Sequence, residues 1–578
     1  MKYSELVEVY EKLEGTTKRL AKTEYLSDFL KKVHADDTEE VVLLLQGRIF
    51  PAWDERESGV ASQLMVKAIS IASGADINQV EKEWKKTGDL GNVAENLVKK
   101  KKQHTLASSE LTVKKVFYNL RKLAEESGSG SVDRKLQLIA ELLTSAKGIE
   151  AKYVVRTILG ELRIGLGEGT LRDAITWAYF MKVTDDMSKE KREEYNTYLD
   201  AVQQAYDLTT DFATVATAAR NGMKRLKSVR LVLGKPIKVM LALKVDNIQE
   251  AFEIVGKPTA AEFKYDGFRL EIGKDDAGKI SLFTRRLENV TKAFPDVVEY
   301  VKKYVKGKSF ILDAEAVGFD KKTQKYLPFQ SISQRIRRKY DIERMADKFP
   351  VEVNVFDILV YHGKNIINEP FKKRRELLEK IVPNIKRKIR PSQSIITDDE
   401  AKIEDFFRQS REQGNEGLML KNLNAPYKPG ARVGHMLKFK KAAENLDLVI
   451  VEAEWGQGKR STWITSYNLA CRKDGKLLEI GKVSTGLKEK PEEGLSFGDM
   501  TKMLKPLITE EHGKHVIVKP KIVIEVGYEE IQKSTSYSSG YALRFPRVVR
   551  NRSSEKGIHD INTLKDVERL YKQQKKVK

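Results

Sequence analysis

The sequence predicts a multidomain protein: an all-α N-terminal region over residues 1–234, an α+β domain over 235–442, and a small C-terminal β-barrel over 443–578. Three observations carry this. Residues 1 to about 230 hold apolar positions at helical spacing, with few prolines and no convincing strand alternation. Gly234-Lys235-Pro236 then breaks the pattern, and strand-like and helix-like stretches mix beyond it. From about residue 443 the pattern turns to short strands such as Asp447–Ala453, Leu469–Arg472 and Lys521–Val526, which suit a small barrel of the OB-fold type. The length agrees, since 578 residues exceed one core and correspond to about three or four domains.

Composition narrows the partners. Forty per cent hydrophobic residues suffices for globular packing, while a formal charge of +22 calls for a polyanion, most simply nucleic acid. No run of about 18 apolar residues and no signal-peptide core is present, so no membrane anchoring and an intracellular, cytoplasmic protein are expected. The single cysteine, Cys471, excludes intrachain disulfides and a Cys-based zinc site. No repeat of 20 to 50 residues is visible, and the expected state is a monomer.

Within the helical region, a pair of stretches stands out. The small-residue run 127–131 contains Gly128 and Gly130 and precedes Arg134 and Lys135; it suits a backbone nest for a phosphate at a helix N-terminus, and equally an ordinary helix–helix loop. Arg156 and Arg163 lie seven apart, so one helix would carry both on one face, either as a solvated basic face or as a contact to duplex backbone.

In the α+β region, Glu262 and Lys264 are placed on one face of a strand that ends at Asp266-Gly267, with Arg269 following. A lysine there could be a nucleophile with cationic neighbours, although the octamer alone reads more simply as a surface ion pair on an edge strand. Asp313 and Glu315 alternate on one strand face, as a divalent cation requires, or as a solvent-facing acidic edge would show. In 351–357 the valines form a core face, which leaves Phe356 on the polar face, either to stack on a planar ligand or as a partly covered surface ring. Glu416 and Lys421 mark another strand. Lys438 and Lys440 share a strand face, where two ammonium groups repel unless an anion lies between them. The last stretch gathers Arg544, Arg547, Arg550 and Arg552.

These stretches, in this order, resemble the ATP-dependent DNA ligases of the archaeal and eukaryotic replicative type, within the covalent nucleotidyltransferases. Lys264-Tyr265-Asp266-Gly267 is similar to the nucleotidyl-lysine motif. Phe283-Thr284-Arg285, Leu312-Asp313-Ala314-Glu315, Val355-Phe356-Asp357, 416–421, 437–440 and 543–547 are similar to the later motifs, and Glu150-Ala151-Lys152-Tyr153 with 160–163 to the helical module. The likeness spans nearly the whole chain, and the ordered set is far more specific than any one motif.

The resemblance implies sealing of a nick between a 3′-hydroxyl and a 5′-phosphate through a lysyl-AMP on Lys264 and a DNA-adenylate, in replication, repair and recombination. It assigns Glu262 to the adenine amino group, Arg269 to the ribose, Phe356 to stacking on the base, and Arg285, Lys438 and Lys440 to phosphates. Glu315 and Glu416 would serve Mg²⁺ (or Mn²⁺), and ATP is the implied nucleotide, with ADP, NAD and GTP left open. Gly128, Gly130, Arg156 and Arg163 are the DNA-contact candidates, and the four late arginines would act on the leaving group. Two departures stand out: Met436 replaces a usual aromatic, and 550–556 lacks the acid-Asp-Lys ending of the last motif, which bears on the first step. An RNA ligase or a capping-type nucleotidyltransferase would share the Lys264 motif but not the long helical region; a non-catalytic DNA-binding protein would not need the complete lysine and carboxylate set. Gln103, followed three residues later by Leu106, is similar to the peptide that docks on a sliding clamp; a plain linker is the alternative.

Overall fold

The structure, a computed structural model, describes every residue except 101–109, 185, 328, 337–339, 441–443, 457–459 and 577–578. The proposed clamp residues Gln103 and Leu106 therefore lie outside the described residues.

From Tyr3 to Lys227 the described elements are helices, as the periodicity predicts. Their apolar faces meet in one core that runs from Tyr3 and Tyr10 through Phe117 and Tyr153 to Leu226. Local signals agree with the helix starts. Asp89 caps the helix Leu90–Lys99 by accepting the Gly91 N–H at 2.8 Å, and Asp211 caps Phe212–Arg220 through Ala213 N–H at 3.0 Å.

The central strands are β1 (Leu241–Val245), β2 (Thr259–Lys264), β3 (Phe268–Lys274), β4 (Ile280–Thr284), β5 (Phe310–Gly318), β6 (Val351–Tyr361), β7 (Lys364–Asn365), β8 (Ile389–Pro391), β9 (Ser394–Thr397), β10 (Gly417–Asn422) and β11 (Arg432–Phe439). By packing, the chain forms two compact units. The first comprises Met1–Ala242, Gly267–Gln393 and Asn422–His435; the second comprises Leu243–Asp266, Ser394–Lys421 and Met436–Lys578.

In the first unit, beyond the helices, a sheet runs in the order β4-β3-β5-β6-β7, with β8 parallel to β6. One face of it is apolar: Leu270, Ile272, Ala314, Ala316, Val353 and Val355 pack together with Phe294 and Val297. In the second unit the order is β11-β10-β2-β9, and the helix Glu400–Glu412 packs on β2, where Phe406 meets Phe263 at a ring separation of 4.5 Å.

The C-terminal segment of the second unit holds β12 (Leu446–Trp455), β13 (Ile464–Lys473), β14 (Lys476–Val483), β15 (Ile508–His512), β16 (His515–Val518), β17 (Val523–Gly527), β18 (Glu530–Lys533), β19 (Tyr541–Arg544) and β20 (Arg547–Asn551). Their order is β14-β13-β12-β16-β15, with β17 bridging β12 and β20, and β18-β19 as a separate hairpin. The result is the β-rich, OB-like domain that the short strands predict, closed over Leu448, Ile450, Tyr467 and Val526. Cys471 is buried in it. Among the described residues no helix is long and apolar enough to cross a membrane.

Candidate active site

Lys264 is the last residue of β2, and the turn to β3 is made at Gly267. A Cβ there would lie 2.2 Å from the Ala316 carbonyl oxygen, so only glycine lets the turn pack directly on β5. On the other side, Lys264 C=O accepts the Glu416 N–H at 2.7 Å, which tethers the lysine to the start of β10. Lys264 Nζ then lies 2.8 Å from Glu416 Oε2, and the Lys440 ammonium is paired with the same oxygen. Gly417, at φ +149°, is what allows this second contact. Its absent Cβ would lie 2.3 Å from the Phe439 carbonyl oxygen, so β11 passes close enough to deliver Lys440 to Glu416. Burial alone would raise the Glu416 carboxyl, but the two ammonium groups outweigh it and hold it down at about 2.

A second acid–lysine pair crosses the same two strands in the opposite sense. Lys421 Nζ on β10 lies 2.6 Å from Glu262 Oε2 on β2, and both side chains are buried. Sequence alternation places Glu262 beside Lys264; in the structure each instead takes a partner from the neighbouring strand. The partner of Lys421 is not legible in the sequence, because strand pairing is what brings it to Glu262.

In the first unit, the face of the sheet opposite the apolar core carries two polar rows. Arg269, Glu315 and Asn354 are register partners across β3, β5 and β6, and so are Glu271, Asp313 and Asp357. Arg269 donates from Nε to Asp313 at 2.7 Å and from Nη2 to Glu271 at 3.1 Å, while Tyr427 O–H donates to Asp313 at 2.8 Å. Arg374 closes on Asp357 with two bonds of 2.8 and 3.0 Å. Burial pushes the Glu271 carboxyl up to about 7 against the pull of Arg269. Asp313 is therefore held inside the protein, which corrects the expectation that it and Glu315 face a cation together; Glu315 alone of the two is half-exposed. Arg269 Nη1 and both amide atoms of Asn354 are buried without hydrogen-bond partners.

Phe356 owes its position to a β-bulge. Asp313 pairs with Asp357 and Ala314 with Val355, so Phe356 has no register partner on β5 and emerges half-exposed while Asp357 turns back to Arg374. Arg285 is exposed in the turn after β4, and Lys438 sits on β11 opposite Met419.

The DNA-contact candidates divide. The glycines at 128 and 130 take φ +76° and +73° in an exposed loop before the helix Ser131–Ser145. Arg134 folds back on that loop, donating to the carbonyls of Ser127 and Ser129 at 3.1 Å. The shared basic face of Arg156 and Arg163 is not found. The helix ends at Ile158, and Arg163 lies beyond it at φ +59°. Arg156 is buried, donating to Asp89 at 2.7 Å and Glu14 at 2.9 Å, so it is a structural ion pair and not a duplex contact. Arg156→Ala should destabilise the protein by about 3 kcal/mol, because Asp89 is left buried with only the exposed Arg163, 3.2 Å away, as counter-charge. Thermal melting checks this, and the salt dependence of DNA binding should stay that of the unaltered protein.

Of the late arginines, Arg550 and Arg552 lie 2.6 and 3.2 Å from Glu525, and Arg552 also 2.9 Å from Glu555. The bond from Arg550, with help from Asn445 and Arg552, holds the Glu525 carboxyl at about 2. Arg544 lies 3.4 Å from Glu530, and Arg547 is exposed. Ser553, at the point where the last motif departs from the usual pattern, accepts the Val523 N–H at 3.0 Å.

The lysine, its carboxylate and the ordered strands around them are matched in sequence by three family profiles: "DNA ligase N terminus" over residues 2–176, "ATP dependent DNA ligase domain" over 239–440, and "ATP dependent DNA ligase C terminal region" over 460–555. The chain belongs to the ATP-dependent DNA ligases. The DNA ligase of Nanoarchaeum equitans is 47% identical over 580 residues, covering 100% of this chain and 99% of that protein. Those of Thermococcus fumicolans and Archaeoglobus fulgidus are each 41% identical, with full coverage of both chains. In fold, the chain is similar to the solved structure Pmar-Lig_PreS3 (TM-score 0.52, 16% identity, 95% and 99% of the two chains). The enzyme is thus a ligase that seals nicks in DNA in an ATP-dependent reaction. The RNA-ligase and capping readings are set aside by full-length likeness to DNA ligases.

Proposed function

We propose that Lys264 is the nucleophile of a three-step reaction. Its Nζ attacks the α-phosphorus of ATP, a P–N bond forms, the P–O bond to pyrophosphate breaks, and pyrophosphate leaves. The AMP passes from Lys264 to the 5′-phosphate of a nick, and the 3′-hydroxyl then displaces AMP. The observation that carries this is the pairing of Lys264 and Lys440 with one ionised oxygen of Glu416. Glu416 seats the two ammonium groups side by side, so Lys264 Nζ is fixed next to a second cation that can offset phosphate charge. The bond from its carbonyl to Glu416 N–H holds Lys264 in place, so much of its contribution is positional.

The remaining roles follow the chemistry of each side chain. Glu262, paired with Lys421, accepts from the adenine amino group; Phe356, raised by its bulge, stacks on the base; Arg269 offers Nη1 to the ribose. Arg285, Lys438 and Lys440 neutralise phosphates. Among the described residues no three His, Cys, Asp or Glu side chains gather into an ion cage. Glu315 and Glu416 are the carboxylates assigned to Mg²⁺ or Mn²⁺, a hard cation that takes carboxylate and phosphate oxygens and would offset phosphate charge.

The helical segment 1–234 is assigned to the duplex, with the exposed loop at Gly128 and Gly130 and the exposed Arg163 toward phosphate. Segment 235–442 carries nucleotide transfer, and 443–578, with Arg544, Arg547, Arg550 and Arg552, serves the leaving group. Gln103 and Leu106 are assigned to a sliding clamp, where loss of binding in Gln103→Ala/Leu106→Ala is the check. The test of the whole scheme is a chase. Protein labelled with α-labelled ATP should pass its label to nicked DNA and release it as AMP as the strand is sealed. Label that stays on the protein while nicks close would refute the scheme.

A further inference from the structure

The segment 237–240, which leads out of the helical region, is bonded on two sides. Toward the helices, Lys238 N–H donates to the Asp207 carbonyl at 3.0 Å, Thr210 O–H to the Pro236 carbonyl at 3.0 Å, and Lys238 Nζ lies 3.2 Å from Glu168. Toward the sheet, it reaches Arg269 by two short buried routes. Ile237 N–H donates to Glu271 Oε2 at 3.2 Å, and the same oxygen accepts from Arg269 Nη2 at 3.1 Å. Met240 N–H donates to the Tyr427 hydroxyl at 3.1 Å, the hydroxyl donates to Asp313 at 2.8 Å, and Asp313 accepts from Arg269 Nε at 2.7 Å.

Both routes end on one guanidinium, and all the side chains in them are buried. Its third nitrogen, Nη1, is buried with no partner. An unpaired buried donor is costly to keep, and it is explained if a ligand completes it. A shift of the segment 237–240 by a fraction of a hydrogen-bond length would move or loosen the two bonds that aim Nη1. Glu271 bonds Arg269 directly, and Tyr427 reaches it through Asp313.

We propose that Tyr427 and Glu271 are positioning residues that transmit the placement of the segment 237–240 to Arg269, coupling duplex binding by the helical region to nucleotide binding. The inference rests on the reading of Arg269 as a nucleotide contact. By linkage, a protein carrying AMP on Lys264 and the unmodified protein then differ in affinity for nicked duplex, and the ratio of the two measures the coupling.

The experiment uses the full chain with Tyr427→Phe, Glu271→Gln and Arg269→Ala. The first two keep the buried volume, and either carries the test if the other fails to fold. Two quantities are read: the ATP concentration that half-saturates self-labelling, with its maximal rate, and the dissociation constants for nicked duplex of the adenylylated and unmodified forms. Tyr427→Phe and Glu271→Gln should raise half-saturation about five- to tenfold, leave the maximal rate within about twofold, and bring the affinity ratio toward one. A raised half-saturation with an unchanged ratio overturns the proposal, since the residues then support Arg269 only locally. No change in either quantity overturns it as well, provided that Arg269→Ala does shift half-saturation. If Arg269→Ala leaves half-saturation untouched, the nucleotide reading of Arg269 falls and the proposal with it, a result distinct from the other two.

Discussion

Lys264→Ala should transfer no label from α-labelled ATP to the protein, a loss to background of at least about 10⁴-fold, since the substitution removes the attacking amine. The fold should survive. Glu416 would keep Lys440 as its counter-charge, Gly267 would still allow the tight turn on β5, and the Lys264 backbone bond to Glu416 does not depend on the side chain. A nick supplied already adenylylated should still be sealed, more slowly, because the last step needs the AMP on DNA and not on the lysine. Denaturing electrophoresis of the labelled protein reads the first result, and product formation from the pre-adenylylated nick reads the second. A variant labelled as well as the unaltered enzyme would place the nucleophile elsewhere.

Glu416→Gln should slow self-labelling by about 10²–10³-fold, because the amide leaves two adjacent ammonium groups without the charge that holds them. The same substitution has a signature in stability. The Glu416 carboxyl lies at about 2, below its ordinary 4.5, so its contribution is fully present above pH 4.5 and is lost as pH falls toward 2. A displacement of that size corresponds to about 3 kcal/mol by the usual conversion. The unaltered enzyme should therefore lose more melting temperature between pH 6 and pH 3 than Glu416→Gln does. Parallel pH profiles for the two proteins would show that Glu416 is not the group held down by Lys264 and Lys440.

Much of the protein is legible from residue order alone. Helical spacing identifies the N-terminal region, alternation identifies β2, β5, β6 and β10, and the ordered lysines and carboxylates resemble one enzyme family that the full-length relatives then show. These are properties of single segments. A strand's two faces, a turn that needs glycine, and a set of side chains in a particular order are all written along the chain.

What lies beyond the sequence is which segment packs on which. Seven-residue spacing gives Arg156 and Arg163 a common helix face, but the helix stops at Ile158 and Asp89, from a different helix start, draws Arg156 inside. Alternation places Asp313 beside Glu315, yet Arg269 and Tyr427 bury the first and leave the second half-exposed. The emergence of Phe356 depends on a bulge against β5, and Glu262 and Lys264 find their partners at Lys421 and Glu416, beyond their own strand. Sequence spacing fixes the direction of a side chain relative to its own backbone. Whether that direction meets solvent, a counter-charge or a neighbouring strand is set by contacts between residues far apart in the chain, and only the tertiary structure decides those.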